Sequence, residues 1–200
     1  MLLCSQAVRA DAPTVKSVEA KPASYALGGK LSRTAVITEL HTGFVDGERI
    51  GALRTGGACD AISDREWSDL VRQRIETELP KAFHDEMDHA RGLFPAAAGA
   101  APLRVQAFLN NFDVQLCQAA AGWQGGFYVQ VSWQIVSPDS GQVVYQASTE
   151  GSFALDAPRR IATVTGLREA FGVAARNLLA DPRFAALLQN ADQRRLALAY

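Results

Sequence analysis

Histidine, cysteine and lysine are all scarce here, and no apolar run approaches the ~18–20 residues of a membrane-spanning helix. The three histidines are His41, His84 and His89. A closed metal site needs three or four converging ligands. The densest candidate is His84-Asp85-Glu86-Met87-Asp88-His89. On a helix His84 would share a face with Asp88, and Asp85 with His89, so further ligands would have to come from elsewhere. The segment therefore reads as a solvated helix face. No Gly-x-Ser-x-Gly elbow is present, and no serine is placed beside a histidine. Nothing marks a thiolate-stabilising partner for Cys59. Gly28-Gly29-Lys30 lacks phosphate-loop spacing, and no GxGxxG occurs. Glu76 and Glu78 point to different helical faces, and Asp46 and Glu48 fall in a turn. These absences argue against an enzyme, a cofactor and a metal. The alternative is a small hydrolase or metal-dependent enzyme with an unrecognised site. Twenty basic residues against 21 acidic ones give a net charge of −1. With no basic excess to neutralise phosphates, nucleic acid is excluded as the expected partner.

What is present is an ordinary globular composition, 48% hydrophobic and 20% charged, in a length that fits one domain. Arginine outnumbers lysine sixteen to four and alanine is frequent, a bias associated with GC-rich bacterial genomes. The first ten residues read as the end of a secretory leader. Val8 and Ala10 occupy the −3 and −1 positions of a small-residue cleavage site before Asp11. The competing leader would lipidate Cys4, but Leu3 stands where such a site carries Gly, Ala or Ser. If Cys4 departs, Cys59 and Cys117 remain as an even pair, which suits a disulfide in an oxidising compartment. The bond would stabilise the fold by roughly 4 kcal/mol through loop entropy. Two buried free thiols are the alternative.

Residues 11–32, rich in Ala, Pro, Ser and Lys, read as an extended arm or tether, residues 33–190 as one domain and 191–200 as a tail. Thr34 to Leu40 predicts a first strand, continued by Gly43-Phe44-Val45 before the turn Asp46-Gly47. Ile50 to Cys59 predicts a short strand pairing back. Ser63-Asp64-Arg65-Glu66 is a capping box. Behind it Trp67, Leu70, Val71, Ile75 and Leu79 form one helical stripe over about 64–79, with Pro80 breaking or kinking it and Phe83 and Met87 in line beyond. Residues 95–102 are a low-complexity loop. Alternation then predicts strands at Leu103–Leu109, running on toward Cys117, and at Phe127–Ile135. After the turn Ser137–Gly141, Val143–Thr149 is a return strand. Residues 119–126 read as a small-residue loop carrying Trp123, a candidate interface anchor that more simply folds back over a sheet edge. A helix from about Thr165 to Leu179 and a short one opened by Asp181-Pro182 finish the chain. The expected fold is α+β, an antiparallel sheet of three to five strands with two main helices on one face, in the order β(β)-α-β-β-β-α.

The steps Val131-x-Trp133-Gln134-Ile135, Ser140-Gly141-Gln142-Val143-Val144-Tyr145 and Thr149-x-Gly151-Ser152-Phe153 carry a resemblance. So does the end Ala170-Phe171 through Ala175-Arg176-Asn177-Leu178-Leu179-Ala180-Asp181-Pro182-x-Phe184. Over roughly residues 34–190 the chain resembles the non-catalytic N-terminal region of proteobacterial periplasmic trypsin-like proteases. It is also similar to auxiliary lipoproteins of envelope ABC transport systems. The resemblance implies a periplasmic binding or assembly module with an envelope protein as partner, or a structural accessory of an outer-membrane or transport complex.

Overall fold

The computed structural model describes residues 13–20, 31, 33–56, 59–62, 72–91 and 101–189. The leader-like residues 1–10, the capping box at 63–66, the Pro/Ala loop at 95–100 and the tail at 191–200 lie outside them.

The strongest alternation in the sequence makes the central strand. Strand β5 (Gly122–Val136) turns Phe127, Val129, Val131, Trp133 and Ile135 to one face, all fully buried. It is flanked antiparallel by β4 (Leu103–Ala119) and β6 (Val143–Arg159), the latter reached through the turn where Gly141 N–H donates to the Ser137 carbonyl, 2.9 Å. A bulge between Leu109 and Asn111 inserts one residue into β4. That extra residue returns Phe112, Val114 and Leu116 to the face already held by Val105, Ala107 and Leu109.

The sheet is larger than expected and mixed, with six strands. Strand β1 (Ala35–Thr42) runs parallel to the first half of β4, from Ala35 opposite Leu103 to Thr42 opposite Leu109. Strand β2 (Gly51–Thr55) runs parallel to the second half, from Gly51 opposite Val114 to Arg54 opposite Cys117. A two-residue strand β3 (Ala61–Ile62) closes that edge against β2. The segment at Ile50–Cys59 therefore does not pair back on β1; both strands share one edge of β4. Strand β1 ends at Thr42, and the chain leaves the sheet at the β4 bulge. There Phe44 is buried edge-on against Phe112, ring centroids 5.9 Å apart.

Helix α1 (Arg72–Arg91) contains Pro80 and continues for eleven residues beyond it, where the sequence predicted a break or kink. The stripe explains the continuation: Ile75, Leu79, Phe83 and Met87 stay in phase on both sides of the proline and are all buried. Their burial outweighs one missing backbone donor. Helix α2 (Thr163–Leu179) lies beside α1 and packs on β5 and β6. Helix α3 (Pro182–Gln189) starts on Asp181, whose carboxylate accepts from the N–H of Arg183 at 2.8 Å. Both main helices occupy one sheet face.

Helix α2 meets β6 backbone to backbone. A Cβ placed on Gly151 would stand on the Ala170 carbonyl oxygen and 2.5 Å from the Ala174 nitrogen. On either side, the Thr149 hydroxyl donates to the Ala174 carbonyl (2.8 Å) and Asn177 donates to the Glu150 carbonyl (2.9 Å). Gly151→Ala is therefore expected to cost about 1–3 kcal/mol, because the obstructing atoms are helix backbone and cannot rotate away. Urea unfolding checks it; an unchanged midpoint would show that α2 moves freely over β6.

Candidate functional site

Helices cover one face of the sheet, and the other is polar. Register alone places Gln106, Gln134 and Gln146 side by side across β4, β5 and β6. Beside them lie Ser132 and Ser148, and Asn110 donates to the Ser132 hydroxyl at 2.6 Å. At the β1 border His41 stacks on Phe108, 4.5 Å between centroids and 13° from parallel. None of these side chains enters the helix-covered core. Such a face is wettable and has hydrogen-bonding capacity to spare.

One part of this face is occupied. Residues 13–20, read from composition as part of an extended arm or tether, lie against β5 and β6. The Lys16 ammonium pairs with the Glu150 carboxylate and stands 5.4 Å from the Tyr128 ring centroid. Val18 N–H donates to the Ser152 hydroxyl at 2.8 Å, and that hydroxyl in turn donates to the Val18 carbonyl at 3.3 Å. Val15 sits over Gly126, so close that a Cβ there would be 2.6 Å from a Val15 methyl. The Lys16 ammonium and then the Tyr128 hydroxyl hold the Glu150 carboxyl below the usual carboxylate range. Burial, then the Glu150 hydrogen bond, pushes the Tyr128 phenol up. The hydrogen bond that Lys16 donates to Glu150 likewise raises Lys16. Contact therefore persists across neutral pH. It is lost as pH falls through the lowered pKa of Glu150 or rises through the raised pKa of Lys16.

The residues singled out in the sequence are scattered. Cys59 and Cys117 are joined by a disulfide, with α-carbons 5.6 Å apart, where β2 and β4 end together. Both are buried, and Gln124 donates to the Cys59 sulfur at 3.5 Å. Trp123 is not in a loop: β4 and β5 run almost to the tip of their hairpin, leaving Ala120-Ala121 as the turn. Trp123 lies in β5 opposite Gln118, half-buried and packed against the core. His84 is exposed and 3.4 Å from Asp88, its neighbour one helical turn on. Asp85 faces across to Arg168 of α2, and Glu86 pairs with Arg176 at 3.2 Å. Burial pushes the Glu86 carboxyl up, and Arg176 opposes the shift. These pairs join two helices. Among the described residues, no three of His, Cys, Asp and Glu converge on a point that a metal would fill. Glu48 accepts from the Val45 N–H at 2.9 Å within its own turn, and Asp46 accepts at 2.6 Å from the N–H of Arg72, 26 positions later at the start of α1.

Open clefts also mark the surface, two of them beside elements already described. One of about 590 Å3 lies where the chain leaves the sheet between β1 and β2, lined by Phe44, Glu48, Arg49, Asn111 and Asp113 among others. The other, about 350 Å3, lies between α1 and the start of α2, with Arg74, Glu78, Thr165 and Arg168 on its walls. Among the described residues, no helix is long and apolar enough to cross a membrane.

No protein-family model matches the chain, and no curated protein matches it. Among solved structures it is similar to a candidate lipoprotein from Caulobacter crescentus CB15, with 18% identity, 68% of this chain and 89% of that one covered, and a TM-score of 0.37. It is also similar to a Xanthomonas campestris protein of the DUF330 family, with 13% identity, 93% and 97% covered, and a TM-score of 0.41. An uncharacterized protein aligns with 7% identity over 84% of this chain and 97% of its own, at a TM-score of 0.37. Likenesses at this level transfer no site or partner.

Proposed function

We propose that this protein is a non-enzymatic binding or assembly module of the bacterial cell envelope, acting through protein contacts in the periplasm. The observation that carries the reading is the buried Cys59–Cys117 disulfide. Bonds of this kind form and persist in oxidising compartments and are rare where glutathione and thioredoxin keep thiols reduced. The leader-like Val8-x-Ala10 step agrees with it. The polar sheet face, opposite the one the helices cover, supplies the contact surface. A peptide segment lying on it is already one protein contact of the kind proposed.

Fractionation of the native cell, with thiols trapped at lysis, tests the compartment. The expected result is a mature chain beginning near Asp11 in the envelope fraction, with no alkylatable thiol until reductant is added. A chain anchored through Cys4 would instead retain that residue and carry lipid. A reduced chain in the cytosol would remove the reading.

A further inference from the structure

We infer that Gly126, Tyr128, Glu150 and Ser152 form a recognition site for an extended, lysine-bearing protein segment, and that residues 13–20 occupy it in cis as a displaceable latch. The inference rests on the reading of this protein as a protein-binding module and names the chemistry of the partner.

Four features of the seat select a peptide and not merely a cation. Gly126 leaves a recess into which the Val15 methyls fit and which any larger residue would fill. Glu150 and Tyr128 together hold an ammonium, one by charge and one through its ring face at 5.4 Å, within the ~6 Å of a cation–π contact. The Ser152 hydroxyl engages both the N–H and the carbonyl of one residue, so it reads backbone and accepts any side chain at that step. Val15 and Lys16, adjacent in the occupant, go to different parts of the seat, Gly126 and the Glu150–Tyr128 pair.

The latch character follows from what the arm does not do. It adds no strand to the sheet: its backbone bonds here go to a side-chain hydroxyl. Lys16 stays 59% exposed and Glu150 29% exposed in their side chains. Water would satisfy Glu150, Tyr128 and Ser152 if the arm left, so the core does not depend on it. A set of contacts this small is sustained by the millimolar effective concentration that covalent attachment provides. A partner segment of the pattern apolar-Lys-x-any displaces the arm if it also contacts the adjoining row Gln106, Gln134 and Gln146. That row, on the same sheet face, adds hydrogen-bonding surface.

The test uses the full chain carrying Val15→Asp and Lys16→Glu, which places negative charge against Glu150 and in the recess over Gly126. Amide exchange at Val18 should accelerate by roughly a hundredfold while β4 and β5 stay protected. A labelled peptide with the sequence of residues 13–20, titrated into the millimolar range that matches the effective concentration of the arm, should then bind this variant and not the wild type. A peptide with Lys16→Glu should fail on it. Glu150→Lys in a chain that keeps Lys16, where like charge repels the arm, should reverse that preference between the two peptides. Equal binding to wild type and variant, equal binding of the two peptides, or no binding once the Val18 amide is released would each overturn the inference. A wild-type dimer that dissociates in the variant would assign the seat to the arm of a second copy and overturn the in-cis latch. Failure of peptide binding leaves the envelope reading intact, because compartment and thiol state are measured separately.

Discussion

Trp133→Ala is expected to destabilise the protein by about 3–5 kcal/mol, a large share of the ~5–15 kcal/mol that holds a typical domain together. The indole is fully buried at the centre of β5. Its ring lies 5.7 Å from that of Phe83 on α1 and 5.4 Å from that of Phe171 on α2. Its N–H donates to the Thr149 hydroxyl at 2.7 Å, and that hydroxyl donates to the α2 backbone at Ala174. One side chain thus touches the sheet and both main helices. Truncation removes these contacts and leaves a cavity whose walls belong to different elements and cannot all collapse into it. Trp133→Phe keeps most of the packing and loses the N–H bond, so it should cost less, with about 1 kcal/mol of the loss from that bond. Guanidinium unfolding separates the outcomes. A Trp133→Ala midpoint shift worth under about 1 kcal/mol would mean that this residue is not the junction of the layers.

How much of this was legible in the sequence depends on how local each signal is. The alternation at 127–135, the Ser137–Gly141 turn and the Asp181-Pro182 cap each lie within one window, and each becomes the element they indicate. The direction of β1 and β2 does not lie in any window. Periodicity assigns a strand its faces but not its partner. Both strands end up parallel to β4 across helix α1, a crossover with no local mark of its own. The β4–β5 hairpin was missed for a different reason. Its two-residue turn, Ala120-Ala121, lacks the Asn-Gly or Asp-Gly signature. The left-handed backbone falls on Gly122 at φ 140°, the first residue of the next strand, so a run of small residues resembles a loop. Pro80 does not end the helix because a proline is a local penalty, whereas the stripe from Ile75 to Met87, which the sequence already carried past it, is a nonlocal gain. The seat for residues 13–20 was invisible in principle. Lys16 and Glu150 are 134 positions apart, and neither belongs to a motif.

Reduction of the Cys59–Cys117 bond is expected to lower stability by about 4 kcal/mol, and so to lower the melting temperature by roughly 8–16 °C at ~2–4 °C per kcal/mol for a chain this size. The bond closes a loop spanning 58 positions. That loop contains the whole of α1 and all of β4 but its last two residues, so closing it in the unfolded chain removes much of the entropy that the parallel β2–β4 pairing would otherwise cost. Both sulfurs are buried, which makes reduction slow in the native state and fast once the chain opens. Scans should therefore be run after reduction in denaturant and refolding, or on Cys59→Ala. The choice of substitution at position 59 carries its own test. Cys59 is the one described non-glycine residue with positive φ, at 55°. Among the described residues, the bond, the turn from Gly56, whose carbonyl accepts the Cys59 N–H at 3.3 Å, and the Gln124 hydrogen bond to its sulfur hold it in that left-handed region. Cys59→Gly loses the bond but relieves the backbone, so it should recover about 1 kcal/mol or more relative to Cys59→Ala. If both variants melt with the wild type under oxidising conditions, the bond adds nothing to the fold. If they melt together but far below it, the bond matters and the strained turn does not.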